Sequence, residues 1–367
     1  SKESHIQNAI KFAAECDYKV TVRSGGHSYT GSSACHTSNC MQLDLTGMTN
    51  IFILGHTITA DPGPRLSDFA SYTMLFSLSI PHGGCSHVGV GGHMQSSAWG
   101  MMSHSHGSGL DRVTGFRMVL ANGEVGAYSR DDVDDTVYKS VLGSAPGSFG
   151  VVSQYTFAGV PDSEGPHTRM ITISIPYTKS RFLAAFKQTQ FIVKDQEQRD
   201  VRDMKILLVA GPDTEDVHTA DCYIRIYAIW IGVDTGAMPQ SLKDLYLQPF
   251  WDMPHQGFPI SADAPAPLAV ATRLMVNQWT NHNDRYAVQA FHSDYWWSDE
   301  FLEILAEEVD ARVAMMPDIY PNFQFLPLGL NTQWARNAGM NSITWRDTRA
   351  YVDDWMFVKN ESDYEKT

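Results

Sequence analysis

The sequence predicts an α+β protein with two domains, and three observations support this expectation. Its 367 residues exceed what a single hydrophobic core usually holds. A segment rich in proline, glycine and acidic residues, 159–166, indicates a domain boundary. Helical and strand patterns alternate before this boundary, whereas after it strands of alternating polarity are interleaved with helices. We therefore expect one domain at residues 1–160 and, at 161–367, an antiparallel sheet covered on one face.

The elements of the first domain follow from hydrophobic spacing. Apolar residues recur at helical intervals over 5–15 and predict a helix there. The pair Asn122-Gly123 predicts a hairpin turn. The segment 81–109 is dense in glycine, holds five histidines and has few residues that favour either helix or strand. The runs that predict strands in this domain are 19–23, 41–45, 57–60 and 116–120.

The second domain shows clearer periodicity. Isoleucines at 171, 173 and 175 alternate with polar residues and predict a strand, and amphipathic helices are expected at 182–194 and 300–315. Eight of the nine tryptophans also fall after residue 229, and their flat apolar faces suit sugar rings. Ordinary core and rim aromatics are the alternative explanation. The remaining strands of this domain are expected at 206–210, 222–231, 324–326 and 344–358.

Charge and cysteine content narrow the class of protein. The chain has 27 Lys and Arg against 41 Asp and Glu, a net charge of -14, which argues against nucleic acid or an anionic membrane as partner. The chain has no run of 18 apolar residues, so the sequence predicts no membrane span. Cys35 and Cys40 flank a short polar loop and could close a small disulfide ring; five free thiols are the alternative. If Cys85 serves another function, the other four cysteines could pair.

Two glycine-dense loops are the strongest chemical signal. The first, R-S-G-G-H-S-Y at 23–29, follows a predicted strand, and its paired glycines can expose backbone N–H groups to a pyrophosphate. Alone, it could also be a tight turn with a surface histidine. The second loop, P-H-G-G-C-S-H-V-G-V-G-G-H at 81–93, adds one cysteine. A histidine in one loop and a cysteine in the other make the pair specific.

Together the two loops resemble the FAD-binding domain of the vanillyl-alcohol oxidase superfamily. Within it they are most similar to the berberine-bridge-enzyme-like oxidoreductases, especially the oligosaccharide oxidases. The resemblance covers residues 5 to about 158 and fades after 160. It implies a two-domain FAD-binding fold of vanillyl-alcohol oxidase type with an antiparallel-sheet substrate domain. It also implies that His27 and Cys85 are both bonded covalently to the flavin.

The resemblance supplies the other expected contacts to FAD. Val88 matches a position that gates oxygen access in the family, and a small valine there favours an oxidase. Many relatives have a glycine run where this chain has Gln95-Ser96-Ser97-Ala98; small residues remain in this segment, so the backbone could still approach the flavin. Carried over by motif, the cofactor-binding residues are Arg23, Ser24, Gly25, Gly26, His27, Ser28, Gly84, Cys85, Val88, Gly89, Gly91, Gly92, His93, Trp99, Gly100, Gly147, Gly150 and Val152.

The histidines of 81–109 have a rival interpretation as ligands of zinc or copper. No H-x-x-x-H on a helix and no C-x-x-C accompanies them, so we predict no metal site. We interpret His104 and His106 as loop histidines near the cofactor.

Oxidation of a hydroxyl group requires a base for its proton. On the predicted strand that ends the second domain, Tyr351 and Asp353 share one face, and Asp353 is the candidate carboxylate with Tyr351 behind it. Tyr29, two residues after His27, is a further candidate. The alternative is that all three are ordinary half-exposed residues. Relatives begin earlier and continue further than Thr367, so we expect a segment to be missing at each end and a base could lie outside this sequence.

These inferences lead to one hypothesis and two alternatives. We expect a secreted oxidase with covalent FAD that oxidises a carbohydrate hydroxyl and reduces O2 to H2O2. The resemblance and the aromatic content suggest that the reaction converts the hemiacetal at the reducing end of the sugar to a lactone. Its partners would be a small carbohydrate and O2, with no nucleic acid and no membrane span. The acidic charge, the possible disulfides and the sequon at 360–362 suit an extracellular site. The alternatives are a dehydrogenase of an alcohol or alkaloid-like substrate and a non-catalytic extracellular carbohydrate-binding paralogue.

Overall fold

The computed structural model divides the chain into two compact units. It describes residues 2–144, 146–199, 204–212, 221–233, 236–254, 266–275, 285–316, 319–330 and 332–358. The first unit comprises Ser1–Glu164, Pro267–Asn281 and Asn337–Thr344. The second comprises Gly165–Ala266, His282–Arg336 and Trp345–Thr367. The two later segments of the first unit were not indicated by any pattern in the sequence, and the sequon at 360–362 lies outside the described residues.

Both units contain helices and strands. The helices are α1 (Glu3–Glu15), α2 (Leu66–Met74), α3 (Val90–His93), α4 (Ser103–His106), α5 (Thr136–Val141), α6 (Lys179–Arg199), α7 (Gln240–Tyr246), α8 (Gln248–Trp251), α9 (Leu268–Met275), α10 (Asp299–Val313) and α11 (Gln333–Arg336). The strands are β1 (Lys19–Arg23), β2 (Cys40–Asp44), β3 (Ile51–Leu54), β4 (Thr57–Ala60), β5 (Leu78–Ser79), β6 (Val113–Val119), β7 (Val125–Ser129), β8 (Val151–Ala158), β9 (Val160–Pro161), β10 (Arg169–Pro176), β11 (Met204–Pro212), β12 (Cys222–Trp230), β13 (Arg285–Ser293), β14 (Ile319–Pro327) and β15 (Ala350–Val358).

The first unit is built on a five-stranded antiparallel sheet with the order β3-β4-β8-β6-β7. Strands β1 and β2 form a separate parallel pair, and β5 pairs with β9. The bounds of β1 and β4 agree with the strands predicted at 19–23 and 57–60. Helix α1 buries Ile6 in a cluster with Leu45, Met48, Val119 and Val151, as its apolar spacing requires.

The glycine-dense segment 81–109 is more regular than the sequence indicated, because it contains α3 and α4. Each is a single turn: His93 N donates to Gly89 O at 3.2 Å, and His106 N donates to Met102 O at 2.9 Å. Glycine and histidine have low helix propensity, so these turns depend on the tertiary structure around them. A local pattern could not have predicted them.

The second unit contains a six-stranded antiparallel sheet with the order β10-β12-β11-β14-β15-β13. Helices α6 and α10 pack on one face through a continuous apolar core. At its centre, the Phe186 ring contacts Phe325 at 4.4 Å, Phe323 at 5.7 Å and Trp297 at 5.9 Å between centroids. The predicted α+β class, with an antiparallel sheet covered by helices on one face, is confirmed.

The cysteines form the single disulfide between Cys35 and Cys40 that the sequence suggested, and not a second one. Cys35 and Cys40 form a disulfide, while Cys16 and Cys222 lie in different units and are not in disulfides. The disulfide leaves the Cys85 thiol outside it. Among the helices of the described ranges, none combines the length and apolar character needed to cross a bilayer.

Candidate active site

The two glycine loops interlock through a backbone contact between Gly25 and Gly89. A Cβ atom built on either glycine would overlap the backbone nitrogen of the other, so neither position has room for a side chain. The parallel strand β1 ends at Arg23 and delivers the first loop to this contact. The structure therefore brings together the loop that carries His27 and the loop that carries Cys85.

A third segment, 62–65, is hydrogen-bonded to both loops. Ser24 Oγ donates to Pro62 O at 2.7 Å, and Gly91 N donates to the same carbonyl oxygen at 2.9 Å. Val90 N donates to Pro64 O at 2.9 Å, and Arg65 forms an isolated antiparallel bridge with Gly89. Because buried backbone groups must be paired, these bonds fix the path of both loops.

His27 is half-buried beside positive groups. Burial lowers its pKa, and the nearby charges of His87 and Arg65 lower it further. The lowered pKa favours the neutral imidazole, in which one ring nitrogen keeps a lone pair. This electrostatic coupling places His27 in the same environment as the second loop, which contributes His87.

Backbone amides of the two loops are available to an anion. The N–H groups of Gly26, Gly84, Ser86 and His87 have no hydrogen-bond acceptor within the described residues. Gly26 has φ of +75°, a left-handed conformation that favours glycine and turns the chain sharply. Successive unpaired amides with Arg65 nearby fit a pyrophosphate, so the residues present fit the FAD that the motifs imply.

Gln95 joins the second loop to the G-S-F-G turn at 147–150. Its amide Nε2 donates to Gly91 O at 3.0 Å and to Tyr155 Oη at 2.8 Å, while its Oε1 accepts from Gly147 N at 3.1 Å. Tyr155 Oη in turn donates to Gly91 O at 2.8 Å. Sequence reasoning noted Gln95 only as a departure from a glycine run and missed this role. Its long-range partners gave no local signal.

Five further residues predicted to bind the cofactor fall into two groups. Gly92 and Gly147 face open space, since a Cβ at either would meet no atom within 4 Å. The second group packs within the loops or the sheet and consists of His93, Gly100 and Val152. His93 Nε2 accepts from Gly83 N at 3.1 Å, a Cβ on Gly100 would overlap the carbonyl of His82, and Val152 is buried in β8.

Three other histidines of the segment 81–109 are buried in the first unit. His82 and His104 are buried, and burial lowers the pKa of His82, whose Nε2 has no partner within the described part of the chain. His106 Nε2 lies 3.6 Å from Glu164 Oε2. Among the residues that the structure describes, no group of three His, Cys, Asp or Glu side chains is arranged to hold a metal ion.

In the second unit, the two candidate residues for proton transfer are hydrogen-bonded to each other. Tyr351 Oη donates to Asp353 Oδ1 at 2.7 Å. Burial raises the pKa of Asp353 to about 6, against the smaller opposing effect of the Tyr351 hydrogen bond. A carboxyl with a pKa near neutrality is suited to general-base chemistry. Tyr29, the third candidate, lies on the surface of its loop in the first unit and is 60% exposed.

Aromatic rings lie next to the Tyr351–Asp353 pair. Trp345 stacks on Tyr351 with 6.1 Å between centroids and on His292 at the same distance. Its other neighbour is Trp334, at 4.8 Å, which is buried. Trp345 itself is partly exposed. A carboxylate flanked by an aromatic surface is a common arrangement for holding a sugar ring.

Comparisons with known proteins agree with these features. Residues 1–127 match the FAD binding domain family. A xylooligosaccharide oxidase of Thermothelomyces thermophilus is 34% identical over 181 residues, 48% of this chain and 35% of that protein. Berberine bridge enzyme-like 12 of Arabidopsis thaliana is 31% identical over 158 residues, 41% of this chain and 29% of that protein. Each match therefore spans about a third of the relative's length.

The fold comparison extends over the whole chain. The structure of a xylooligosaccharide oxidase from Myceliophthora thermophila C1 in complex with xylobiose superposes with a TM-score of 0.80 at 19% identity, covering 99% of this chain and 76% of that one. The chain therefore shares the fold of this structure, and its residues 1–127 match an FAD binding domain. The relatives that this chain resembles in sequence include carbohydrate oxidases and berberine bridge enzyme-like proteins.

Proposed function

We propose that this protein is a secreted FAD-dependent oxidase that converts the reducing-end hemiacetal of an oligosaccharide to a lactone and reduces O2 to H2O2. The observation that carries this proposal is the interlock of the His27 and Cys85 loops through Gly25 and Gly89. Bound FAD supplies the two-electron acceptor that oxidation of a hydroxyl group requires. The relatives named as carbohydrate oxidases support the substrate class, and the Cys35–Cys40 disulfide supports an oxidising compartment.

The loops would hold FAD through backbone and two side chains. The unpaired amides of Gly26, Gly84, Ser86 and His87 would bind the pyrophosphate. His27 and Cys85 would each form a bond to the flavin ring. Three features support this double attachment: the loops are in contact, the pKa of His27 is lowered, and the only disulfide in the described residues omits Cys85.

Asp353 would take the proton of the substrate hydroxyl. Its pKa of about 6 keeps the carboxylate ionised at neutral pH, yet leaves it basic enough to accept a proton. Tyr351 holds the carboxylate in one orientation through its hydrogen bond. The partly exposed face of Trp345 would align the sugar ring beside this pair.

Two measurements test the proposal. Acid precipitation of the purified protein should leave flavin in the pellet, and mass spectrometry should find it on the peptides that contain His27 and Cys85. Oligosaccharides with a free reducing end should then release H2O2, whereas the same sugars reduced to alditols should not. Flavin on both peptides with reduction of dyes but no O2 consumption would replace the oxidase with a dehydrogenase. A protein without flavin would refute the proposal.

A further inference from the structure

A second candidate site lies in the second unit, at a pocket of about 520 Å³. That volume suits a small ligand of one or two sugar rings. The pocket does not include the Tyr351–Asp353 pair; its lining comes from helix α6, from the loop before α10 and from the residue before β15. Its lining residues are Lys194, Glu197, Gln198, Tyr295, Trp296 and Arg349.

Glu197 organises the walls of this pocket. Its Oε1 accepts from Leu330 N at 2.6 Å, and its Oε2 accepts from Trp296 Nε1 at 3.0 Å. Arg349 Nε lies 3.6 Å from the same Oε2, and Arg349 Nη1 donates to Asp294 O. One carboxylate therefore fixes an indole ring and a guanidinium group beside each other before any ligand arrives.

Aromatic and cationic groups remain available in the pocket. Tyr295 is 78% exposed, and its backbone is held by Ser293 Oγ, which accepts from Tyr295 N at 3.1 Å and donates to Tyr295 O at 2.9 Å. Within the described residues, Lys194 Nζ has no ion-pair partner and Arg349 Nη2 has no acceptor. Because Arg349 is already paired with Glu197, the lining has a net charge of one positive unit, and it offers Lys194 Nζ and Arg349 Nη2 beside two rings.

We propose that this pocket binds a carboxylate-bearing sugar. Tyr295 and Trp296 offer planar apolar faces for the sugar ring, and Lys194 and Arg349 offer charge-assisted hydrogen bonds to its carboxylate. A local surplus of positive charge is unusual in a chain of net charge -14, and it favours an anionic over a neutral ligand. The carboxylate has two sources, a uronate group on a carbohydrate chain or the aldonate that hydrolysis of the lactone product yields. The sugar class rests on the proposed function; the anionic preference does not.

Binding to the purified flavin-loaded protein tests the pocket directly. Calorimetry and saturation-transfer NMR at low ionic strength would compare a glucuronate-terminated disaccharide, cellobionate and neutral cellobiose, in anaerobic buffer with the flavin already reduced so that cellobiose is not oxidised. We expect at least one acid to bind about tenfold or more tightly than cellobiose, and the binding to weaken with added salt. Preference for the glucuronate-terminated disaccharide would identify a uronate as the source of the carboxylate, and preference for cellobionate would identify an aldonate. Either result supports the proposal.

Variants of exposed lining residues separate this pocket from the oxidation site. Tyr295→Ala and Lys194→Gln should each weaken binding of the acid about tenfold or more, whereas Tyr295→Phe and Lys243→Gln, a lysine outside the pocket, should not. H2O2 release from neutral oligosaccharides should be unchanged in all four. Equal affinity for cellobiose, or full binding by Tyr295→Ala, would overturn the proposal. Acid binding without any H2O2 release would retain the pocket and refute the oxidase function instead.

Discussion

Two neighbouring aspartates in β15 show how a single position decides a residue's chemistry. Successive side chains of a strand point to opposite faces of the sheet. Asp354 is buried on the face that packs against α10 and forms an ion pair with Arg312. Asp353 lies on the other face, where its partner is the neutral hydroxyl of Tyr351. Burial there raises the pKa of Asp353 to about 6, which suits a base.

Replacing Asp353 tests its role as the base. Asp353→Asn keeps the size of the side chain but cannot take a proton, so we expect kcat to fall about 10²–10⁴-fold. Asp347→Asn, at an exposed carboxyl of the same unit, should leave kcat unchanged. A variant Asp353→Asn with wild-type turnover in a stopped assay of H2O2 release would exclude this assignment.

The pH profile tests the hydrogen bond from Tyr351. The raised pKa of about 6 means that kcat/KM should rise with pH up to about 6, where the carboxyl loses its proton, and level off above it. The Tyr351 hydroxyl lowers the carboxyl pKa, so Tyr351→Phe should move this rise to higher pH. An unchanged midpoint with a lower kcat would show that Tyr351 acts on the substrate and not on Asp353.

The double flavin attachment is also tested at single residues. In His27→Ala and in Cys85→Ala, flavin should remain in the acid pellet through the other bond, and the double variant should release it to the supernatant. His36→Ala, which changes a histidine outside both loops, should keep both attachments. Complete release of flavin by either single variant would mean that only one bond forms.

At the scale of elements, the loops depend on partners that are distant in sequence. Asp111 Oδ2 accepts from Ser108 N at 2.9 Å and from Asn337 Nδ2 at 3.0 Å, and its Oδ1 accepts from Asn341 Nδ2 at 2.8 Å. These bonds attach the segment 337–344 to the first unit. Gln95 does the same for the turn that contains Gly147. Elements that are individually weak become regular because buried polar groups satisfy one another.

Gln95→Leu should destabilise the first unit and loosen its loops. The substitution leaves Gly147 N without its acceptor and removes two donated hydrogen bonds, so we expect a loss of about 1–3 kcal/mol in the free energy of unfolding. Gln7→Leu removes one half-buried bond to Gly123 O and should cost about 1 kcal/mol or less. Urea unfolding of both variants measures the difference, and equal losses would contradict a bridging role for Gln95.

At the scale of the whole molecule, each unit has its own apolar core. The core of the second unit centres on Phe186, whose ring lies among aromatic residues of α6, β14 and the segment before α10. The residues proposed to bind the flavin all belong to the first unit. Disturbing the second core should therefore change stability without removing the flavin.

Phe186→Ala tests this division. Truncating a fully buried phenylalanine should cost about 3–5 kcal/mol in the unfolding free energy of the second unit. Phe191→Ala, at a 40% exposed position of the same helix, should cost far less. Calorimetry measures the stability, and acid precipitation should find the same flavin content in both variants. Loss of flavin in Phe186→Ala alone would show that the second core supports cofactor binding.

The sequence by itself determined the features that depend on local chemistry. Strand alternation predicted the sheet of the second unit, glycine pairs predicted the two loops, and the period of two placed Tyr351 and Asp353 on one face. The disulfide between Cys35 and Cys40 was also expected, because the two cysteines flank a loop of four residues. These properties require only neighbours along the chain.

The tertiary structure alone decided what depends on long-range contacts. It placed α9 and the segment 337–344 in the first unit, gave Gln95 its three partners and set the pKa of Asp353 through burial. Hydrophobic spacing reports which face of an element is buried, but not which distant element covers it. Hydrogen-bond partners and desolvation exist only once the chain has packed, so no local pattern carries them.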